Sequence, residues 1–179
     1  MQIKDITSKI IQSKIIETDK VPIHFANSKT FSTVTCLKPN SDKPRGLYLP
    51  DCDSLEALKY CELNMHDGFN RIKKMICTMC NFDEISFSVF SILHEFGHWI
   101  QYEDFIKDGH TDYEFFEHYE WKRILMYKQR NNEYKKCISD ADVIALNTKY
   151  DYLYAELPTE KHANDFALSH LLEGVMTVK

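Results

Sequence analysis

Apolar positions recur along the chain with two different periods. Over residues 3–17, Ile3, Ile6, Ile10, Ile11 and Ile15 form a helical stripe. "VPIHFA" (21–26) and "TFSTVTCL" (30–37) read instead as short strands, joined by a turn around Asn27-Ser28. "SDKPRG" is a loop, and "LYLP" (47–50) after it is a third short strand. From there the period is helical. A helix follows Asp53 through "SLEALKYCELN", "HDG" breaks it, and "FNRIKKMICTMC" (69–80) is helical again.

Asn81 or Asp83 can cap the next helix, whose body is 84–104. Its apolar face is Ile85, Val89, Ile92, Leu93, Phe96 and Ile100, and "KDGH" ends it. A charged helix covers 112–136, with acids early and bases late, as the helix dipole favours. "LPTE" opens a final helix over roughly 158–173.

The chain has 179 residues, enough for one domain with a real core and short for two. No repeat or interdomain linker interrupts it, so 1–179 reads as a single domain. A net charge of −5 without a basic stripe speaks against a nucleic-acid surface. No apolar run approaches the roughly 18 residues that a membrane helix needs. The N-terminal stretch interleaves charges with isoleucines, unlike a signal peptide. A cytoplasmic protein is expected, with Cys36, Cys52, Cys61, Cys77, Cys80 and Cys137 reduced. "CTMC" has the spacing of half a structural zinc site. Cys52 and Cys61 could supply the other half, but no second C-x-x-C exists. Core thiols on an apolar helix face are the expectation.

The chemistry concentrates in "SILHEFGHWIQY" (91–102). Four residues of helix turn the chain by about 400° and rise about 6 Å, so His94 and His98 project from one face. Both imidazoles can then reach one metal ion. Glu95 stands roughly 100° round from His94, too offset to be a ligand and well placed for the ion's water. A helix with two half-exposed histidines and a solvated glutamate would need none of this. The uncharged flanks Ile92, Phe96, Trp99 and Ile100 favour the metal reading. So does Gly97, because a glycine inside a helix costs about 1 kcal/mol relative to alanine. Close approach of another segment beneath the metal would explain it.

A catalytic zinc takes three protein ligands and leaves one position open. The best third candidate lies in "LPTEKHANDFALSHLL" (157–172). One helical face there carries Glu160, Ala163, Asn164, Ala167 and Leu171. The alanines permit close packing, and Glu160 can reach the metal. Asn164, one turn on, can accept a hydrogen bond from the outer nitrogen of a ligand histidine. Asp112, Glu114, Glu117, His118 and Glu156 are the other carboxylate or imidazole candidates. Tyr150, Tyr152 and Tyr154 precede the Glu160 helix. Tyr154 is the first choice for an oxyanion donor, with His162 and His170 behind it. His24, His66, His110 and His118 show no partner pattern.

"HEFGH" followed by "ExxAxxFA" resembles the zincin metallopeptidases of the gluzincin type. More narrowly it is similar to the ImmA/IrrE group, whose E-x-x-A-N-x-F-A motif "EKHANDFA" matches. The resemblance covers two motifs of about twenty residues. It implies His94, His98 and Glu160 as Zn²⁺ ligands and Glu95 as catalytic base. It also implies an α+β zincin-like fold: a small twisted antiparallel or mixed sheet on the active-site helix, an edge strand that aligns substrate, and a C-terminal helix bearing the third ligand. The long gap between the motifs departs from the group, and 112–147 would be a helical insertion. Members occur in phages and mobile elements, a setting that suits a regulatory protease acting on a protein or peptide.

The expected activity is a zinc metalloendopeptidase. The alternative is a non-enzymatic zinc-binding regulator or inhibitor that keeps the fold and acts by protein contact. The intact Glu95 favours the enzyme, since a binding protein has no use for a non-ligand carboxylate there. A deformylase ranks low, because no glycine-cysteine motif supplies its third ligand.

Overall fold

The computed structural model describes residues 1–16, 21–35 and 43–179, with the side chains of residues 66 and 67 outside that description. The expectations for Cys36, for the end of the second strand and for the His66 side chain therefore fall outside the described residues. The order is α1 (Ile3–Gln12), β1 (Ile23–Ala26), β2 (Ser32–Val34), β3 (Gly46–Pro50), α2 (Ser54–Asn64), α3 (His66–Cys77), α4 (Glu84–Lys107), α5 (Asp112–Phe115), α6 (Trp121–Tyr134), α7 (Asp140–Ala155) and α8 (Pro158–Val178). This is an α+β fold, mostly helical, with one small mixed sheet. The strands lie in the order β1-β3-β2, with β1 parallel and β2 antiparallel to the central β3.

Most differences from the expected elements have local causes. α1 stops at Gln12, and Lys14 takes a left-handed φ of 59° just beyond it. The break between α2 and α3 falls at Met65 rather than at "HDG", so His66–Gly68 form the first turn of α3. A π turn, Phe116–Glu120, divides the charged 112–136 helix into α5 and α6. α7 runs through residue 147 to Ala155, so a boundary at 147 would cut a helix in two. α8 continues to Val178.

α4 is the spine. Phe87, Val89, Phe90, Ile92, Leu93 and Phe96 are all buried, so its apolar surface extends well round the helix. That suits a helix enclosed by neighbours rather than one laid on a surface. The sheet covers one side of it, with Leu47 and Leu49 in the shared core. α8 runs along another side, with Ala167, Leu171, Val175 and Val178 in the same core. Two glycines permit that closeness. A Cβ at Gly97 would stand 2.8 Å from the Ala163 Cα, and one at Gly174 would stand 2.7 Å from Val89 Cγ1.

The start of α4 is fixed by Asp83. Its carboxylate accepts from the amides of Ile85 (3.1 Å) and Ser86 (2.8 Å), and the Ser86 hydroxyl accepts in return from the Asp83 amide (2.9 Å). Lys179 at the chain end reaches the same carboxylate at 2.6 Å. Asp83→Ala is expected to cost about 1 kcal/mol. Thermal denaturation would register that as a fall of roughly 2–4 °C in Tm for a chain of this size.

The α6–α7 hairpin packs more lightly. α6 has no buried residue, and α7 buries Leu146 and Tyr150. An ion pair between Arg71 of α3 and Asp151 ties α7 to the body. No helix among the described residues is long and apolar enough to cross a membrane. Of the cysteines expected in the core, Cys52 and Cys61 are buried and burial pushes the Cys61 thiol up to about 11. Cys77 is exposed and Cys80 half-buried, because α3 ends at Cys77 and the two fall on different surfaces.

Candidate metal centre

α4 and α8 meet where Gly97 faces Ala163. One turn before Gly97 stands His94, next to it His98, and three residues before Ala163 stands Glu160. The close crossing therefore brings two imidazoles and a carboxylate to one point. His94 Nε2 and His98 Nε2 lie 3.1 Å apart. Glu160 Oε2 is 3.4 Å from His94 Nε2, and Oε1 is 3.5 Å from His98 Nε2. An ion bonded to three N/O atoms at about 2.0–2.1 Å in tetrahedral geometry needs them roughly 3.3–3.4 Å apart. Glu160 turns one oxygen toward each imidazole, and with a donor atom of each residue within 4.8 Å of the others the three side chains could hold a metal ion. Among the described residues, no other group of three or more His, Cys, Asp or Glu is gathered in this way.

The surroundings prepare the donors. The Nδ1–H of His94 donates to Asn164 Oδ1 at 3.0 Å, which leaves Nε2 with its lone pair. Glu160 is only 5% exposed. Burial alone would raise its carboxyl, but the hydrogen bond from His94 and the neighbouring imidazoles outweigh it and hold it down at about 2. Burial pushes His98 down to about 3, against the opposing charge of Glu160. For His94 burial is outweighed by Glu160 and Glu95, and its pKa is raised. The negative charge of Glu160 thus favours a cation at the two imidazoles. Asn164→Ala is expected to weaken metal binding about 10–100-fold, the usual cost of losing such an outer hydrogen bond. Competition with a chromophoric chelator measures it, and an unchanged affinity would deny Asn164 this part.

The Glu95 carboxylate lines the same two cavities as His94 and Glu160 and is bonded from the sheet. The Thr33 hydroxyl of β2 lies 2.7 Å from Glu95 Oε2 and 3.0 Å from its main-chain oxygen. Burial raises the Glu95 carboxyl, against the opposing effects of His94 and Thr33. The Tyr154 hydroxyl bonds to Glu160, and burial followed by the Glu160 charge raises its pKa. Two cavities open on the triad. One, of about 600 Å³, extends between α3 and α4 on one side and α6 and α7 on the other. The other, of about 110 Å³, lies toward β2 and contains Thr33, Arg123 and Glu120. His94, Glu95, Tyr154 and Glu160 line both.

The remaining candidates go elsewhere. Asp112 pairs with Arg45 and accepts from the Tyr102 hydroxyl at 2.6 Å. Glu114 closes the cap of α5 with Thr111, and Glu117 accepts from Tyr113 at 2.6 Å. His118 stacks on Phe105, and Glu156 is the exposed C-cap of α7. Tyr150 donates to Glu133, and Tyr152 is exposed. His162 and His170 line neither cavity.

Two residues at the site carried no recognised signal in the sequence. Thr33 could have been found by strand alternation, which puts Phe31, Thr33 and Thr35 on one face. Arg123 could not, since it sits in a charged helix like its neighbours. Comparison with protein-family models, with curated proteins and with solved structures finds no match to this chain.

Proposed function

We propose that this protein is a zinc-dependent peptidase of the zincin type, acting on a protein or peptide. One observation carries the reading. His94, His98 and Glu160 each bring a donor atom within 4.8 Å of the other two, and the carboxylate of Glu95, which is not one of them, lines the same cavities. Two imidazoles and a carboxylate suit zinc, and three ligands leave a position open. Bound there, zinc would supply a Lewis acid for the substrate carbonyl and acidify a water.

The chain's own groups do the rest. Glu95 takes the proton of the attacking water and delivers it to the leaving amine. Thr33 holds one oxygen of that carboxylate, so the other is the one that moves the proton. Asn164 keeps the His94 ring in place. Tyr154 donates to Glu160 in the metal-free site and would turn its hydroxyl to the developing oxyanion once a metal ion takes that carboxylate. The edge strand β2 borders the smaller cavity, which suits alignment of an extended substrate.

The test is metal analysis together with Glu95→Gln. One zinc per chain is expected in both proteins. Hydrolysis of a fluorogenic casein should fall by about 100–10,000-fold in the variant, the range for losing a positioned acid–base group. Equal activity in the two zinc-loaded proteins would overturn the peptidase reading and favour a protein that acts by contact alone.

A further inference from the structure

The larger cavity has a polarity that the metal chemistry does not explain. Arg123, Tyr127 and Arg130 follow one another on α6 at i, i+4 and i+7, so they share one face within about 60°. Arg123 lines the small cavity beside the triad, whereas Tyr127 and Arg130 line the large one. Arg130 therefore stands roughly 10 Å along α6 from Arg123, at about 1.5 Å per residue. Ile72, Phe90 and Met126 give the same cavity an apolar wall.

The cations of this cleft differ in what they hold. Arg123 is paired with Glu120, and Arg71 with Asp151. Arg130 donates to Asn147 Oδ1 at 2.8 Å, a neutral partner. Among the described residues no carboxylate lies within ion-pair distance of it. Glu133, one turn further, is taken by Lys149 at 2.8 Å and by the Tyr150 hydroxyl at 3.0 Å. Glu95 is engaged by Thr33, and Glu160 by His94 and His98. Arg130 is thus a half-buried guanidinium with an amide oxygen on one side and an open cavity on the other. A carboxylate is the partner its planar fork suits best.

We propose that the large cavity is a recognition site for a carboxylate-bearing stretch of substrate. Arg130 binds a carboxylate remote from the scissile bond, since Arg123, which lines the small cavity with the triad, and Arg130 are about 10 Å apart along α6. A bulky apolar side chain lies against Ile72, Phe90 and Met126. The carboxylate is that of a chain terminus or of an Asp or Glu side chain. The proposal rests on the peptidase reading for its orientation toward the metal.

Binding tests it without turnover. The probes are hydroxamates of Phe-Ala-Ala with a free carboxylate, the same compounds amidated, and amidated Phe-Ala-Glu forms. Each is made with the hydroxamate at either end, so that both chain directions are sampled on the zinc-loaded protein. At least one carboxylate form should bind about tenfold more tightly than its uncharged counterpart, as a charge-assisted bond at a half-buried site allows. The form that gains identifies the source of the carboxylate. Arg130→Gln should abolish the difference and leave the uncharged probes unchanged, while Arg130→Lys should retain part of it. Equal binding of charged and uncharged probes, or a preference that survives Arg130→Gln, overturns the proposal. Amidated probes that bind the metal with no carboxylate preference would do so while sparing the metal reading. Failure of every hydroxamate to bind would bring down both.

Discussion

Glu160→Ala is expected to lower metal affinity by roughly 1000-fold or more, well beyond the 10–100-fold that an outer hydrogen bond is worth. The variant removes one of three donors and the only carboxylate among them. The remaining two imidazoles are 3.1 Å apart on one helix and cannot neutralise a divalent ion. The metal-free fold should survive the change. Loss of a buried carboxylate removes a desolvation penalty, offset by the bonds it leaves open at His94 and Tyr154. Metal binding adds RT ln(1 + [L]/Kd) to stability, about 2.7 kcal/mol at a hundredfold excess over Kd. A chelator should therefore lower the Tm of the wild-type protein and leave that of Glu160→Ala where it was. Glu160→Gln separates charge from shape: it can still accept from Tyr154, but it offers the metal no anion. If Glu160→Ala kept its metal, the third ligand would lie elsewhere, although Asp112, Glu114 and Glu117 are engaged with Arg45, Thr111 and Tyr113.

The site was legible in the sequence to the extent that helical spacing controls it. His94 and His98 share a face because they are four apart, and the structure brings their Nε2 atoms together. Asn164 was expected one turn from Glu160 against a ligand histidine, and its bond to His94 Nδ1 has that form. Such predictions need only the pitch of one helix, plus the inference that alanines let two helices touch. Thr33 and Arg123 needed more. Their placement depends on which strand edges against α4 and how the α6–α7 hairpin folds back, and neither is written in any local period.

The fold divides in the same way. β1, β3 and the capped starts of α2 and α4 follow from alternation and from Asp53 and Asp83. The parallel pairing of β1 with β3 does not, because order and direction depend on how the chain crosses over. The π turn at Phe116–Glu120 was equally hidden. It lies within a run whose charges read as one smooth helix, yet it precedes the Arg123 turn that faces the site. The segment that looked like an insertion supplies Arg123, Tyr127 and Arg130 to the two cavities.

Gly97→Ala should destabilise the protein, although helix propensity alone favours alanine by about 1 kcal/mol. The added Cβ would stand 2.8 Å from the Ala163 Cα, 3.1 Å from the Phe166 Cβ and 3.2 Å from the Ala163 carbonyl oxygen. Two of those atoms are backbone, and no rotamer change can withdraw them. α8 must then shift from α4, at a cost of about 1–3 kcal/mol for an overpacked core. The net loss should be up to about 2 kcal/mol for alanine and larger for Gly97→Leu, read from denaturant unfolding. Gly68→Ala makes the comparison sharp. That glycine is also helical, but its Cβ would meet nothing closer than Asp151 Oδ1 at 3.7 Å. There the propensity gain should appear, as up to about 1 kcal/mol of added stability. Gly97→Ala should also weaken metal binding, since Glu160 sits less than one turn before Ala163 and moves with it. If Gly97→Ala matched Gly68→Ala in both stability and metal affinity, the crossing at Ala163 would not be what holds the third ligand in place.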